Sequence, residues 1–184
     1  MIVSGNDPQT DENVLLRTDL TGNTIFGITN QTGFSVRFTG QETLIAPANG
    51  QARIEAAVGT FNNLTVDVPG ATFLSLILNP DAVANGFVTF TVNQVSGPSL
   101  VQTFALDRNG QNFFTITALN GQLITSVNFS TTVGLADAAQ FRIGGLQAIT
   151  PPAAVPEPAT MLLLGTGLAG IAAKVRNRRK SSSS

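Results

Sequence analysis

The sequence predicts an all-β protein: an antiparallel, jelly-roll-like β-sandwich followed by a proline-rich linker and a single C-terminal hydrophobic helix. Three observations support this prediction. Short segments of alternating apolar and polar residues recur along residues 23–149, Asn-Gly pairs separate several of them, and the composition changes abruptly after residue 149. We therefore expect a sandwich domain at 1–149, a linker at 150–158, a transmembrane helix at 159–173 and a basic cytoplasmic tail at 174–184.

Strands are predicted wherever side chains alternate between a buried and a solvated face. Residues 73–78 form a nearly continuous apolar run, which is typical of a strand near the middle of a core. The one helical turn expected inside the domain lies around Asp137. The other predicted strands are 34–39, 64–68, 87–95, 113–118, 123–129 and 141–143.

Asn-Gly pairs favour tight turns because both residues tolerate positive φ, as the type I′ turn of a β-hairpin requires. Asn120-Gly121 lies between two predicted strands and is the strongest hairpin prediction in the chain. The other pairs are Asn49-Gly50, Asn85-Gly86 and Asn109-Gly110.

The composition limits the chemistry that is available. Charged residues make up only 11% of the chain, which has twelve Phe and no Cys, His, Tyr or Trp. Disulfides, thiolate metal sites and a cysteine nucleophile are therefore excluded, and Phe can only pack, so we expect most of the aromatic residues in the core. Acid–base catalysis would depend on carboxylates, since both lysines lie near the end of the chain. We expect a protein that is not an enzyme and needs no cofactor.

Charge is distributed unevenly along the chain. Residues 1–158 contain eleven acidic and five basic residues, a net charge of 5 − 11 = −6, and the other five cations lie within residues 174–180. A nucleic-acid-binding domain would need its positive charge on a folded face. We therefore expect no nucleic-acid partner.

The C-terminal segment combines three features in a fixed order. Four of the nine prolines occur in residues 150–158, residues 159–173 carry no charge, and a basic cluster follows. As a helix, the apolar run would be about 22 Å long against a hydrocarbon core of about 30 Å, so flanking side chains would have to extend it. The residues expected to anchor it in the membrane are Met161, Leu162, Leu163, Leu164, Leu168 and Ile171, and the basic residues expected to stop it are Lys174, Arg176, Arg178, Arg179 and Lys180.

Residues 155–180 resemble the PEP-CTERM sorting signal of Gram-negative bacteria, which has these three features. The resemblance implies that a membrane peptidase, exosortase, recognises Pro156, Glu157 and Pro158 and removes the tail. It implies a precursor held transiently in the inner membrane and a mature protein at the cell surface or in the extracellular matrix, where polysaccharide is a further candidate partner. Two alternatives for the tail stay open: an anchor that is never cut, and a buried helix.

Exported proteins of this class start with a signal peptide. Residues 1–20 contain neither the basic segment nor the apolar run of such a peptide. We therefore expect that the start of the exported precursor lies upstream of Met1 or was trimmed. The alternative is that Met1 is the true start, in which case the protein would not meet its processing enzyme.

Two alternative functions remain for the β-domain. The first is a carbohydrate- or calcium-dependent binding module, which an exposed Phe beside clustered Asn and Asp would reveal. Asp107, Asn109 and Asn112 offer oxygen ligands as a candidate Ca²⁺ site, although a turn between strands is the favoured interpretation of this segment. The second is a permanently tail-anchored surface hydrolase, which requires two carboxylates converging in a cleft. The carboxylates considered for that pair are Glu42, Glu55, Asp67, Asp81 and Asp107.

Overall fold

A computed structural model describes residues 1–5, residues 12–149 and residue 168. The chain divides into two units, Met1–Ile149 and Thr150–Ser184. Antiparallel β-structure accounts for the first unit, and residues 1–5 and 12–149 contain no helix. The predicted linker and basic tail lie outside the described residues, as does the predicted C-terminal helix except for Leu168, which is helical.

Fourteen strands make up the described domain. In chain order they are β1 (Ile2–Ser4), β2 (Glu12–Leu16), β3 (Thr21–Thr29), β4 (Ser35–Ile45), β5 (Gly50–Gln51), β6 (Arg53–Ala56), β7 (Phe61–Asp67), β8 (Ala71–Thr72), β9 (Ser75–Ala82), β10 (Gly86–Gln94), β11 (Leu100–Leu106), β12 (Phe114–Thr117), β13 (Ile124–Gly144) and β14 (Gln147–Ala148). The predicted antiparallel β-architecture is confirmed, because every pairing among these strands is antiparallel.

The 21-residue strand β13 organises the sheet. Its first half, residues 124–131, pairs with β10 on one side and with β7 on the other. Its second half, residues 135–144, pairs with β9 on one side and with β6 and β2 on the other. The register shifts between the two halves, where Gly134 lies. β13 thus belongs to two groups of strands.

The two groups pack against each other through aromatic side chains. Twelve of the strands form one sheet, within which we distinguish two groups by their pairing. The first group is β3, β4, β7, β10, β11 and the first half of β13, and the second is β1, β9, β12 and the second half of β13. Phe90 of β10 and Phe114 of β12 bring their ring centres to 5.0 Å across the groups. Phe104 of β11 approaches the same Phe114 ring at 5.4 Å. One hydrophobic core therefore fills the space between the groups.

Most of the aromatic residues lie in this core, as predicted. Seven Phe side chains are fully buried: Phe38, Phe61, Phe73, Phe90, Phe114, Phe129 and Phe141. Two depart from the prediction, since Phe26 is 48% exposed and Phe87 is 55% exposed. Both lie on the outward-facing side of alternating strands, where the neighbouring residues in sequence are buried or intermediate.

The helical turn predicted around Asp137 is wrong, because this residue lies within β13. The alanine-rich segment favours helix by local propensity. It is nevertheless paired on both sides, with Asp81 of β9 opposite Asp137 and with Ile54 of β6 opposite Ala138. Ladder hydrogen bonds and burial between two strands outweigh the helix propensity of a few alanines.

The hairpin predicted at Asn120-Gly121 is also wrong, although the turn itself forms. Asn120 has φ 55° and Gly121 has φ 73°, and the Gln122 amide donates to the Leu119 carbonyl at 3.0 Å. The strands on either side, β12 and β13, do not pair with each other. Instead, β12 pairs with β9 while the start of β13 pairs with β10 and β7, so this turn connects the two groups.

The hairpins of the domain form at other turns. β3 pairs with β4 across residues 30–34, and β10 pairs with β11 across residues 95–99. Their positive-φ residues are Gly33 and Gly97, which follow Thr and Ser. In the described domain, none of the four Asn-Gly pairs lies between consecutive strands that pair with each other.

Candidate functional site

The residues of the predicted sorting segment lie outside the described part of the chain. This applies to Pro156, Glu157 and Pro158, to the basic residues at 174–180 and to the anchor residues other than Leu168, which is 60% exposed. The described residues that offer a site belong to the β-domain. They lie around the 107–112 loop, which connects β11 to β12.

A buried asparagine holds the 107–112 loop in place. The Asn112 side chain is only 7% exposed, and its Oδ1 accepts a hydrogen bond from the Asp107 amide at 2.9 Å. Its Nδ2 donates to the Asp107 carbonyl at 2.9 Å and to the Pro80 carbonyl at 3.1 Å. Because Pro80 belongs to β9, these bonds fasten the loop to the second group of strands.

Two further side chains shape the same loop. The Asn109 amide donates to Asp107 Oδ1 at 2.9 Å, which closes an Asx turn. The Arg108 amide donates to Asn85 Oδ1 at 2.9 Å. Asn85 lies in the segment that precedes β10. The loop is therefore fixed from both ends by side-chain oxygens that accept backbone N–H groups.

These contacts bear on the calcium prediction for Asp107, Asn109 and Asn112. One oxygen of Asp107 and the amide oxygen of Asn112 already accept backbone hydrogen bonds. Among residues 1–5 and 12–149, no group of three or more Asp, Glu, His or Cys residues could hold a metal ion. The geometry explains these residues as turn formers, and the calcium site stays a prediction.

A cavity lined by an exposed aromatic residue adjoins the loop. It has a volume of about 640 Å³, and we call it the Phe87 cavity. Phe87 faces outward on β10. Its partner on β11 is Ala105, which has only a methyl group to place beside the ring. The Phe87 amide donates to the Thr132 hydroxyl at 2.9 Å. Polar lining comes from Ser4, Asn85, Asp107, Gln111 and Asn112.

A second cavity, of about 490 Å³, is also lined by residues of this loop, and we call it the Asp137 cavity. Two aspartates from neighbouring strands line it, since Asp81 of β9 lies opposite Asp137 of β13. Arg53 of β6 lines it too, with the side chains of Gln51, Asn79, Gln111 and Gln140. Gly110 and Gln111 line both cavities, so the two adjoin at the loop.

Arg53 neutralises part of the negative charge in the Asp137 cavity. Its guanidinium lies 2.8 Å from Asp137 Oδ2 and 3.1 Å from Glu55 Oε1. Burial raises the pKa of Asp137 above its ordinary value, and the nearby Asp81 and Glu55 carboxylates add to this increase. The ion pair with Arg53 acts in the opposite direction. The cavity thus presents hydrogen-bond acceptors held close to a strong donor.

A strained backbone position borders the same cavity. Gln140 has φ 58°, a left-handed conformation that is uncommon for residues other than Gly, Asn and Asp. It lies where the pairing of β13 with β9 shifts register, between Ala139 and Arg142. Its amide donates to the Ala52 carbonyl at 3.0 Å. Such positions cost conformational energy and occur often at functional sites.

Sequence reasoning found only part of this site. It singled out the 107–112 loop and included Asp81 among the candidate carboxylates, and both line the cavities. It missed Asp137, which was assigned to a turn, and it placed Phe87 in a strand without recognising that its ring is exposed. The alternation of β10 indicates the exposure of Phe87, because Val88 and Phe90 lie on the buried face and Phe87 lies on the other face.

Comparison with known proteins identifies the C-terminal segment. The PEP-CTERM protein-sorting motif matches residues 154–179, so the chain carries this sorting motif. The motif implies exosortase-dependent export to the cell surface or the extracellular space. No curated protein and no solved structure matched the chain. Among the described residues, no helix is both long and apolar enough to cross a membrane.

Proposed function

We propose that this chain is a non-catalytic protein of the cell surface or extracellular matrix, delivered there by its PEP-CTERM signal. The observation that carries the proposal is the match of residues 154–179 to that sorting motif. The tail then serves in delivery: the inner membrane holds the precursor through residues 159–173 until exosortase cuts near the Pro-Glu-Pro tripeptide. The β-domain, as a β-sandwich, is the part that functions outside.

The β-domain suits such a location. Its core relies on aromatic and aliphatic packing without disulfides, and its surface is rich in Thr, Asn, Gln and Ser. Phe38 and Phe141 meet across the two groups of strands at 4.9 Å, a contact that supports a sandwich. A low charge density leaves a polar surface whose hydrogen bonding depends little on salt.

Fractionation of cells tests the proposed delivery. The gene with its upstream region is expressed in a host with exosortase and in the same host without it. We expect the protein outside the inner membrane in the first host and in the inner membrane in the second. In the host with exosortase, Glu157→Gln should remain in the inner membrane. The control Asp19→Asn, at an exposed residue of the β-domain, should be found outside the inner membrane in that host. Equal distributions in both hosts would contradict delivery through exosortase.

A surface hydrolase is the second candidate, because Asp81 and Asp137 line one cavity. A pair of carboxylates, one with a raised pKa, is the equipment of a glycosidase. The ion pair of Asp137 with Arg53 favours a binding role instead, since the guanidinium lies 2.8 Å from Oδ2, an oxygen that a general acid would have to turn toward its substrate. Release of reducing ends from a polysaccharide, lost in Asp81→Asn, would support the hydrolase and contradict the non-catalytic role.

A further inference from the structure

We infer that the Phe87 cavity and the Asp137 cavity together form one binding cleft for a neutral polysaccharide, with Phe87 as the stacking platform. This inference deepens the proposed function, on which it rests for the ligand's location outside the cell. The two cavities share lining residues, because Gly110 and Gln111 belong to both. A chain-like ligand that crosses the 107–112 loop would contact both.

The aromatic side chain supplies the apolar part of such a site. Phe87 is 55% exposed and lines a shallow, open cavity. A sugar ring has a face of C–H groups that packs on an aromatic ring and removes apolar area from water. Phe26 offers a useful contrast, since it is exposed to a similar extent, 48%, but does not border either cavity.

The polar side chains supply donors and acceptors together, as a hydroxyl-rich ligand requires. Each sugar hydroxyl donates one hydrogen bond and accepts others. The Asp81 and Asp137 carboxylates accept, the Arg53 guanidinium donates, and the amide of Gln111 does both. The Gln111 side chain is exposed and makes no hydrogen bond within the described residues, so it is available to a ligand at the junction of the cavities.

The charge of the cleft selects among polysaccharides. Its ionisable lining residues are Asp81, Asp107, Asp137 and Arg53, a formal charge of 1 − 3 = −2. An anionic polymer such as a polyuronide would be repelled, and its carboxylates would find one guanidinium that already has two partners. A neutral polymer carries no such penalty. The ligand class that fits is therefore a neutral, hydroxyl-rich polysaccharide.

The loop is preorganised for this role. Asn112 and Asn85 fix its backbone through hydrogen bonds of 2.9 to 3.1 Å, so a ligand would not have to order it. Binding to a preformed cleft costs less conformational entropy than binding to a flexible one. Because β11 and β12 do not pair with each other, amide side chains hold the loop between them in place of strand pairing.

Affinity electrophoresis of the full chain in mild detergent tests the inference. The gels contain dextran, a soluble β-glucan or a galactomannan as neutral probes, and alginate as the anionic probe. We expect at least one neutral polymer to retard the wild type and alginate to have no effect. Phe87→Ala should weaken the retardation about tenfold, the scale expected for losing a buried aromatic contact, and Asp81→Asn should weaken it severalfold.

Matched variants separate a cleft from a general surface effect. Phe26→Ala and Asp19→Asn change residues of the same types outside the cleft and should bind as the wild type does. Thermal unfolding should show that all four variants remain folded. No retardation by any neutral polymer, equal weakening in Phe87→Ala and Phe26→Ala, or stronger retardation by alginate would each overturn the inference. Because the assay uses purified protein, failed sorting in cells leaves its result unchanged.

Discussion

Phe38 of β4 and Phe141 of β13 meet edge to face, with ring centres 4.9 Å apart and ring planes at 68°. Both side chains are fully buried, and each belongs to a different group of strands. Aromatic pairs in this geometry are stabilised beyond the area that they bury. The contact therefore joins the two groups of strands within the hydrophobic core.

Removing one of these rings should destabilise the whole domain. Phe141→Ala should lower the free energy of unfolding by about 3–5 kcal/mol, through lost burial and a cavity that the sheet cannot close. Urea denaturation followed by circular dichroism measures this. Phe26→Ala, at a half-exposed ring, should cost much less. A similar loss in both variants would mean that the Phe38–Phe141 contact is not central to stability.

The turn at Gly121 should depend on its backbone conformation. Gly121 has φ 73°, and no atom lies within 4 Å of the place that a Cβ would occupy, so strain and not space limits substitution. Gly121→Ala should therefore cost about 1 kcal/mol, whereas Gly121→Asn should cost less because Asn tolerates positive φ. Thermal unfolding of both variants checks the order. An alanine variant as stable as the asparagine variant would contradict it.

Glu12 should make stability depend on pH. Burial alone would raise the pKa of its carboxyl, but hydrogen bonds from Thr32 and Gln31 lower it below the ordinary value of 4.5. The Thr32 and Gln31 amides donate to Glu12 Oε2 at 2.7 and 3.0 Å. Since the folded carboxylate binds protons more weakly than the unfolded one, its contribution is complete above pH 4.5. It is lost as pH falls through the lower, folded pKa.

Glu12→Gln tests this pH dependence. At pH 7 the variant should be less stable than the wild type by about 1–3 kcal/mol, because a charged acceptor of partly buried hydrogen bonds is lost. The difference should shrink as pH falls below 4.5, where the wild-type carboxyl becomes protonated. Chemical denaturation at a series of pH values measures it. A difference that stays constant down to about pH 3 would contradict the assigned role.

Asn112 should matter for both stability and the cleft. Asn112→Ala removes the hydrogen bonds to Asp107 and to the carbonyl of the buried Pro80, so the free energy of unfolding should fall by about 1–3 kcal/mol. Hydrogen exchange should rise in the 107–112 loop and not in the distant turn at Gly33. Unchanged exchange in the loop would show that other contacts hold it.

Local patterns predicted the strands well and their partners poorly. Alternation placed 34–39, 64–68 and 87–95 in strands. A strand buried on one face has apolar and polar residues at alternate positions, and this pattern is visible in the sequence. The pairing of β13 with five other strands depends on contacts distant in sequence, which no local pattern encodes. The same reason explains the error at Asn120-Gly121, since a tight turn does not determine whether the flanking strands pair.

The candidate cleft was predictable to a similar degree. The polar loop at 107–112 was visible as a cluster of turn-forming residues. The cleft itself could not be predicted, because it depends on the pairing that places Asp137 of β13 beside Asp81 of β9. It also depends on the loop, whose residues line both cavities. The exposure of Phe87 depends on its partner on β11, because Ala105 is too small to cover the ring.

The intact mass of the protein recovered from an exosortase-bearing host tests the central claim most directly. The gene is expressed with its upstream region, and the protein is purified from outside the inner membrane. A PEP-CTERM substrate should yield a product that ends between residues 156 and 159, without the apolar run and the basic cluster. A full-length product that remains in the inner membrane would contradict the account, because the tail would then be a permanent anchor.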